Sequence, residues 1–250
     1  MLDVLAQVLA VPGLGWVVVV AVMAGLVHGF AGFGAALIFM PMASRFLPVE
    51  TAVAAFSISN IASVFTLMPG AWRVAERRTV MWMIAAACVT ASLGLWVLRS
   101  TDLTLMRWAV LFVCSLTLVA LMGGWRVRTE PSFAARGFVG GAAGFLGGAT
   151  GLNGPVMILF QLARADTIAV SRANTLLFLT LTSACLLPLM VLQNMLPLSS
   201  IVLGLVLLVP YGIGTRLGAA VFDPSREAFY RSTAYAIIAL AIVLGLPIWG

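Results

Sequence analysis

The chain has 250 residues, of which 62% are hydrophobic and only 9% are charged, and its formal net charge is +6. So high an apolar fraction excludes an ordinary soluble domain, and the apolar runs are too long for the strands of a membrane β-barrel. We therefore predict an all-α integral membrane protein. The 14 basic residues are all arginines that flank the apolar runs. That placement is typical of cytoplasmic loops, so no nucleic-acid partner is expected.

The apolar residues form eight segments along the chain. Two of them, 13–47 and 134–163, are longer than one membrane span and are broken by glycines. GLVHGFAGFGAALIFMP begins at Gly25, and GGAAGFLGGATGLNGP begins at Gly140. We predict that each of these two segments is a hairpin of two shorter helices that meet at a tip near the midplane. The other six segments have the length of single spans of about 20 residues: 50–71, 79–98, 103–124, 172–194, 198–221 and 229–249.

The arginines in the loops indicate how the segments are oriented. If all eight segments crossed once, the two membrane faces would carry six and eight arginines. If the two glycine-broken segments instead return to the side from which they entered, the numbers become eleven and three. This second arrangement has the asymmetry that the positive-inside rule requires. Each half then contains one hairpin and three spans, so the halves, 1–125 and 126–250, are inverted repeats of one membrane domain with both termini outside.

The glycine-broken tips are predicted to form an anion site. Backbone that leaves the helix at membrane depth needs protein or a watery cavity around it. The helix that follows each tip has free N–H groups and a dipole that favour an anion. Gly34, Asn153 and Gly154 stand at the predicted tips. The alternative is that glycines only allow helices to pack closely, which we favour upstream of the tips, where GxxxG spacings recur.

Five short stretches recur as a set in one transporter family. They are GFAGFGAALIFMP at 29–41, AVAAFSISNIAS at 52–63, GFLGGATGLNGP at 144–155, SRANTLLFLTLTSA at 171–184 and YGIGTRLG at 211–218. With them, nearly the whole chain resembles the TauE/SafE family of sulfite and sulfonate transporters. The resemblance implies transport of a small sulfur-containing or organic anion across the bacterial inner membrane, such as sulfite, isethionate, taurine or sulfoacetate.

The expected binding residues lie at the tips and on the helices beside them. His28, the only histidine, can be a protonatable gate or an anion donor, or a neutral histidine bonded between helices. Asn60 and Asn174 can line the cavity or only join helices. Arg172 and Arg216 can draw anions into an inner vestibule or serve as ordinary interface anchors. The substrate-binding residues predicted in full are Gly32, Phe33, Gly34, Ala35, Asn153, Gly154, His28, Asn60 and Asn174.

These features together predict a secondary transporter that works by alternating access, with an anion-selective channel built on the same tips as the alternative. An enzyme is not expected, because no carboxylate lies deep in a span and the three cysteines show no metal-ligand spacing. No cofactor and no metal are expected. A proton or a sodium ion is the candidate coupling ion, and a homodimer is an option that the sequence leaves open.

Overall fold

The computed structural model describes residues 2–123, 132–164, 167–223 and 227–246. Within these ranges the chain consists of helices and connecting turns without any strand, which confirms the all-α prediction. The predicted boundary between the halves, at residues 125 and 126, lies outside the described residues. The helices are α1 Leu2–Leu9, α2 Leu14–Ala31, α3 Ala35–Phe46, α4 Val49–Ser59, α5 Ala62–Thr66, α6 Met68–Val74, α7 Arg77–Ser100, α8 Leu103–Met122, α9 Phe133–Thr150, α10 Gly154–Ala163, α11 Ile168–Leu192, α12 Leu198–Val221 and α13 Glu227–Gly245.

Six helical stretches in the described ranges are long and apolar enough to cross a membrane, so this is a multi-pass membrane protein. Five of them coincide with predicted spans. The sixth is α2, which is longer than the short hairpin arm predicted there, because the helix is not broken until Gly32. Its 18 residues extend for about 27 Å. The predicted last span, 229–249, contains a shorter apolar helix, Phe229–Gly245.

Both long segments are interrupted at their glycines. α2 ends before Gly32 and α3 begins after Gly34, and both glycines have left-handed backbone, with φ of 81° and 89°. In the second segment, Gly151 follows α9 with a φ of 75°, and α10 begins at Gly154. A residue with a Cβ rarely adopts such a φ, so glycine is needed at the three positions with left-handed backbone.

Glycines upstream of the second tip let α9 touch α7 backbone to backbone. A Cβ added at Gly140 would fall on the backbone of Met83, and one added at Gly148 would fall on the carbonyl oxygen of Ala91. Because the residue numbers rise together, the two helices run parallel. The packing interpretation of these upstream glycines is therefore confirmed.

The first segment packs against the second half of the chain in the same way. A Cβ at Gly25 would fall on the carbonyl oxygen of Tyr211, and one at Gly29 would fall on that of Thr215, so α2 runs parallel to α12. Each broken segment therefore has its first helix fixed against a span from the other half of the chain.

Polar contacts join loops at the two ends of the helix bundle. Arg164, after α10, forms an ion pair with Glu76, before α7, with 2.9 Å between Nη2 and Oε2. At the other end of α7, the Arg99 guanidinium donates to the carbonyl oxygen of Gln193, just after α11, at 3.1 Å. The loops that follow α6 and α10 thus share one end of the bundle, and those that follow α7 and α11 share the other.

Candidate anion-binding site between the two broken segments

Residues at the two breaks come together around one small buried cavity. Gly34 and Ala35, at the start of α3, line it together with Asn153 and Gly154, at the start of α10. The cavity measures about 20 Å³, which is room for about one water molecule. Six of the nine substrate-binding residues predicted from the sequence line this central cavity: Gly34, Ala35, Asn153, Gly154, His28 and Asn60.

The central cavity lies at the N-terminal ends of two helices. The first N–H groups of a helix have no carbonyl partner within it, and the four residues from Gly34 to Leu37 all border the cavity. α10 starts with Gly154 and Pro155, whose missing N–H removes no helical hydrogen bond at this position. The free N–H groups and the positive ends of both helix dipoles favour an anion here.

A chain of hydrogen bonds between buried side chains supports one wall of the cavity. The hydroxyls of Ser63 and Tyr211 both donate to Oδ1 of Asn60, at 2.8 Å and 3.0 Å. His28 Nδ1 lies 2.6 Å from the Tyr211 oxygen. All four side chains are buried. Asn60 therefore combines the two roles that the sequence left open, because it lines the cavity and also joins α4 to α12.

Sequence reasoning misses Tyr211 and Ser63, although both lie in the stretches that carry the family resemblance. A tyrosine beside Pro210 in an apolar span is a usable signal, because a buried tyrosine hydroxyl needs a hydrogen-bond partner. The identity of that partner cannot be read from the sequence, since 183 residues separate Tyr211 from His28.

At the second tip, the Asn153 amide is held by α11. Its Nδ2 donates to Thr182 Oγ1 at 2.7 Å and to Ser183 Oγ at 3.4 Å. Thr182 donates in turn to the carbonyl oxygen of Phe178 at 2.6 Å. These bonds fix the side chain that precedes α10, so a long membrane helix positions the start of the short one.

A second cavity, of about 60 Å³, lies on the other side of the first tip and is lined by Phe33, Arg172 and Arg231; we call it the Arg172 vestibule. Arg172 donates a hydrogen bond to the carbonyl oxygen of Gly29, and its guanidinium carbon lies 4.0 Å from the centre of the Phe222 ring. Phe33 lines the vestibule and the next residue lines the central cavity. The tip therefore forms the wall between the two cavities.

Three predicted site residues lie away from both cavities. Gly32 packs against Arg172, because a Cβ there would meet the Cγ of that arginine at 2.6 Å. Asn174 accepts a hydrogen bond from the backbone N–H of Glu76 at 2.8 Å, and so joins α11 to the loop before α7. Arg216 is exposed and lines neither cavity.

These observations define the class of the protein. A multi-pass helical bundle whose two broken segments meet around a small buried cavity has the architecture of a membrane transporter. The family model described as sulfite exporter TauE/SafE matches residues 17–244. The chain belongs to this family, whose members are membrane transporters for sulfite and related anions rather than enzymes. No curated protein and no solved structure matches the chain.

Proposed function

We propose that the protein is a secondary carrier for a small sulfur-containing or organic anion, and that it works by alternating access in the bacterial inner membrane. Sulfite, isethionate, taurine and sulfoacetate are the candidate substrates. The observation that carries this proposal is the cavity shared by the starts of α3 and α10. Both helix N-termini favour negative charge, and no carboxylate among the described residues lines the cavity.

The anion is proposed to lie against backbone N–H groups near Gly34 and Gly154. Without a Cβ at these positions, its oxygens can approach the backbone closely. A sulfite or sulfonate group has three oxygens that accept hydrogen bonds, so donors from both helices can be used at once. Asn153 and Asn60 border the same cavity. The Asn153 amide hydrogens are bonded to Thr182 and Ser183, so Asn153 is proposed to position the tip beside the anion and Asn60 to face the anion with its amide.

The size of the central cavity favours a carrier over the alternative, an anion-selective channel. At about 20 Å³ the cavity holds about one water molecule, so an anion with several oxygens enters only when the tips move apart. A conducting pore needs a path that is continuous from one face to the other. A closed site that must open is the requirement of alternating access.

The Arg172 vestibule is the proposed cytoplasmic entrance to this site. The guanidinium of Arg172 is already engaged by the Gly29 carbonyl and the Phe222 ring, and Arg231 lines the same cavity. These two positive charges attract anions from the cytoplasmic side. Phe33 is the proposed inner gate, because it lies on the first tip, which separates the vestibule from the central cavity. Arg216, which is exposed, is assigned to anchoring at the membrane interface.

The proposed topology is two inverted repeats with both termini outside. It is supported by the pairs Arg164 with Glu76 and Arg99 with Gln193. If every apolar segment crossed the membrane once, the two members of each pair would lie on opposite faces. They can meet only if an even number of crossings separates their loops, which a hairpin at 134–163 provides.

Cysteine labelling tests this topology. In a background with the three native cysteines replaced by serine, Val74→Cys and Ile168→Cys, both at exposed positions, should react with a membrane-impermeant thiol reagent from the cytoplasmic side. Ser100→Cys, exposed at the other end of α7, should react from the outside. Labelling of positions 74 and 168 from opposite sides would rule out the inverted arrangement.

Counterflow in proteoliposomes tests the carrier itself. The panel is sulfite, sulfate, thiosulfate, isethionate, taurine, sulfoacetate and lactate. We expect saturable exchange for sulfite or for a sulfonate, because the site of a carrier can return across the membrane with a second anion bound. Anion-selective current without counterflow would establish the channel instead, and liposomes without protein provide the control for leakage.

A further inference from the structure

His28 has one ring nitrogen that the hydrogen-bond chain leaves unused. The side chain is 1% exposed and borders the central cavity. Nδ1 is bonded to Tyr211, whereas Nε2 is buried and has no hydrogen-bond partner. An unpaired polar atom in a buried position costs free energy. One that borders a proposed substrate cavity therefore indicates a binding role.

The hydrogen-bond chain determines which nitrogen of His28 carries the proton in the neutral ring. Asn60 Oδ1 can only accept, and it receives the hydroxyl proton of Tyr211. The Tyr211 oxygen then has no proton left to donate, so it accepts from His28 Nδ1–H. Nε2 is consequently the nitrogen with a free lone pair, and it is the atom that a second proton must join.

The surroundings of His28 oppose that second proton as long as the cavity holds no anion. A buried imidazolium in a membrane protein is costly without a counter-charge, and Arg172 of α11, which is bonded to the carbonyl of the next residue, Gly29, brings a further positive charge close to it. Among the described residues, Tyr211 of α12 is the titratable group that is bonded to it. α3 and α4 approach with Gly34 and Asn60, and α13 contributes no titratable side chain to this cavity.

We propose that His28 Nε2 binds one proton together with each transported anion. The anion supplies the missing counter-charge, and the imidazolium donates from Nε2 to the anion and from Nδ1 to Tyr211. Proton binding and anion binding then strengthen each other by the same factor. A monovalent anion and a proton cross together without net charge, and the proton returns from Nε2 to water when the anion leaves. The inference rests on the proposed carrier and names the proton as its coupling ion.

The test measures apparent affinity and proton movement in proteoliposomes between about pH 6 and about pH 8. The probes are isethionate, which stays fully ionised over this range, and sulfite, which titrates itself. For sulfite, the quantity to compare is therefore the difference in pH dependence between the wild-type protein and His28→Gln. For isethionate, the wild-type affinity should rise by up to about tenfold for each unit of acidification, because one proton is linked to binding. In net uptake into vesicles that contain no anion at the start, a dye inside the vesicles should report one proton per anion.

Two variants separate the proton site from a structural role. His28→Gln keeps a polar side chain but cannot titrate, so any exchange that remains should be independent of pH, and any net uptake that remains should carry no proton. Tyr211→Phe keeps the ring but removes the acceptor that stabilises the imidazolium. It should shift the pH dependence towards acid by about one unit, since hydrogen bonds to charged groups are strong. Tyr235→Phe, whose hydroxyl contacts Arg231, should leave the dependence unchanged.

The outcomes are distinct. If wild-type exchange of isethionate and sulfite is saturable but shows no pH dependence beyond that of sulfite itself, and net uptake carries no proton, the inference about His28 is overturned and the carrier stands. The inference is also overturned if His28→Gln keeps the wild-type pH dependence of the affinity for isethionate, or if Tyr211→Phe shifts that dependence towards alkaline pH. If neither probe exchanges at any pH and the rest of the panel is also inactive, the carrier proposal fails and the inference falls with it.

Discussion

Anion exchange is expected to fall by at least about tenfold in Gly154→Ala and to be abolished in Gly154→Leu. A Cβ at Gly154 has one neighbour within 4 Å, Leu179 Cδ2 at 3.8 Å, so alanine fits without strain on the fold. The added methyl group nevertheless occupies a cavity of about 20 Å³ and covers backbone that the anion is proposed to contact. In Gly154→Ala the loss should therefore appear in counterflow, while thermal unfolding in detergent stays at the wild-type temperature.

Gly70→Ala is the matched control for this prediction. Gly70 lies in α6, and a Cβ there has no neighbour within 4 Å, so the same chemical change is made away from both cavities. Counterflow in Gly70→Ala should match the wild-type protein. Wild-type exchange in Gly154→Leu would remove the start of α10 from the path of the anion.

Gly144→Ala is expected to affect the fold rather than the anion site, with a loss of free energy of unfolding of about 1–3 kcal/mol or more. A Cβ at Gly144 would fall on the carbonyl oxygen and Cα of Ala87, so α9 and α7 must move apart to accept it. The measurement is thermal or denaturant unfolding in detergent.

Gly141→Ala provides the control within the same helix. Its Cβ would meet only Thr90 Cγ2, at 3.5 Å, which is an ordinary contact, so its unfolding should match the wild-type protein. Equal stability of the Gly144 and Gly141 variants would contradict the close packing of α7 and α9. Two glycines of one segment, Gly144 and Gly154, thus separate the requirements of folding from those of transport.

The sequence predicts the two breaks well, because their cause is local. A glycine between apolar runs can be recognised without knowing any partner, and Gly34, which stands at a predicted tip, has the left-handed backbone of a break. Gly151 has it too, but its GxxxG spacing with Gly147 favours a packing role in the sequence. The length of the first arm is harder to predict. Apolar residues continue without change from α2 through the break into α3, so hydropathy gives no sign that α2 is long enough to cross the membrane.

The roles of the buried polar residues are predicted less well, because they depend on which helix faces which. Asn60 and Asn174 have similar positions in the two halves of the sequence. Asn60 accepts from Tyr211 and borders the cavity, whereas Asn174 accepts from the backbone of Glu76 near one end of the bundle. The rotation of a helix about its axis decides between these outcomes. In an almost uniformly apolar helix, the sequence pattern does not encode that rotation strongly.

The pairing of α2 with α12 has a consequence for biogenesis. The bond between His28 and Tyr211 spans 183 residues, whereas Thr90 and Gly141, which join α7 to α9, are 51 residues apart. A ribosome delivers the chain in order, so α9 meets its partner soon after synthesis, while α2 waits in the membrane until α12 emerges. During that interval the imidazole of His28 has no tyrosine oxygen to accept its hydrogen bond. The part of the protein that is proposed to bind the anion is therefore completed only after α12 has emerged, and a nascent chain cannot bind its cargo before it is nearly complete.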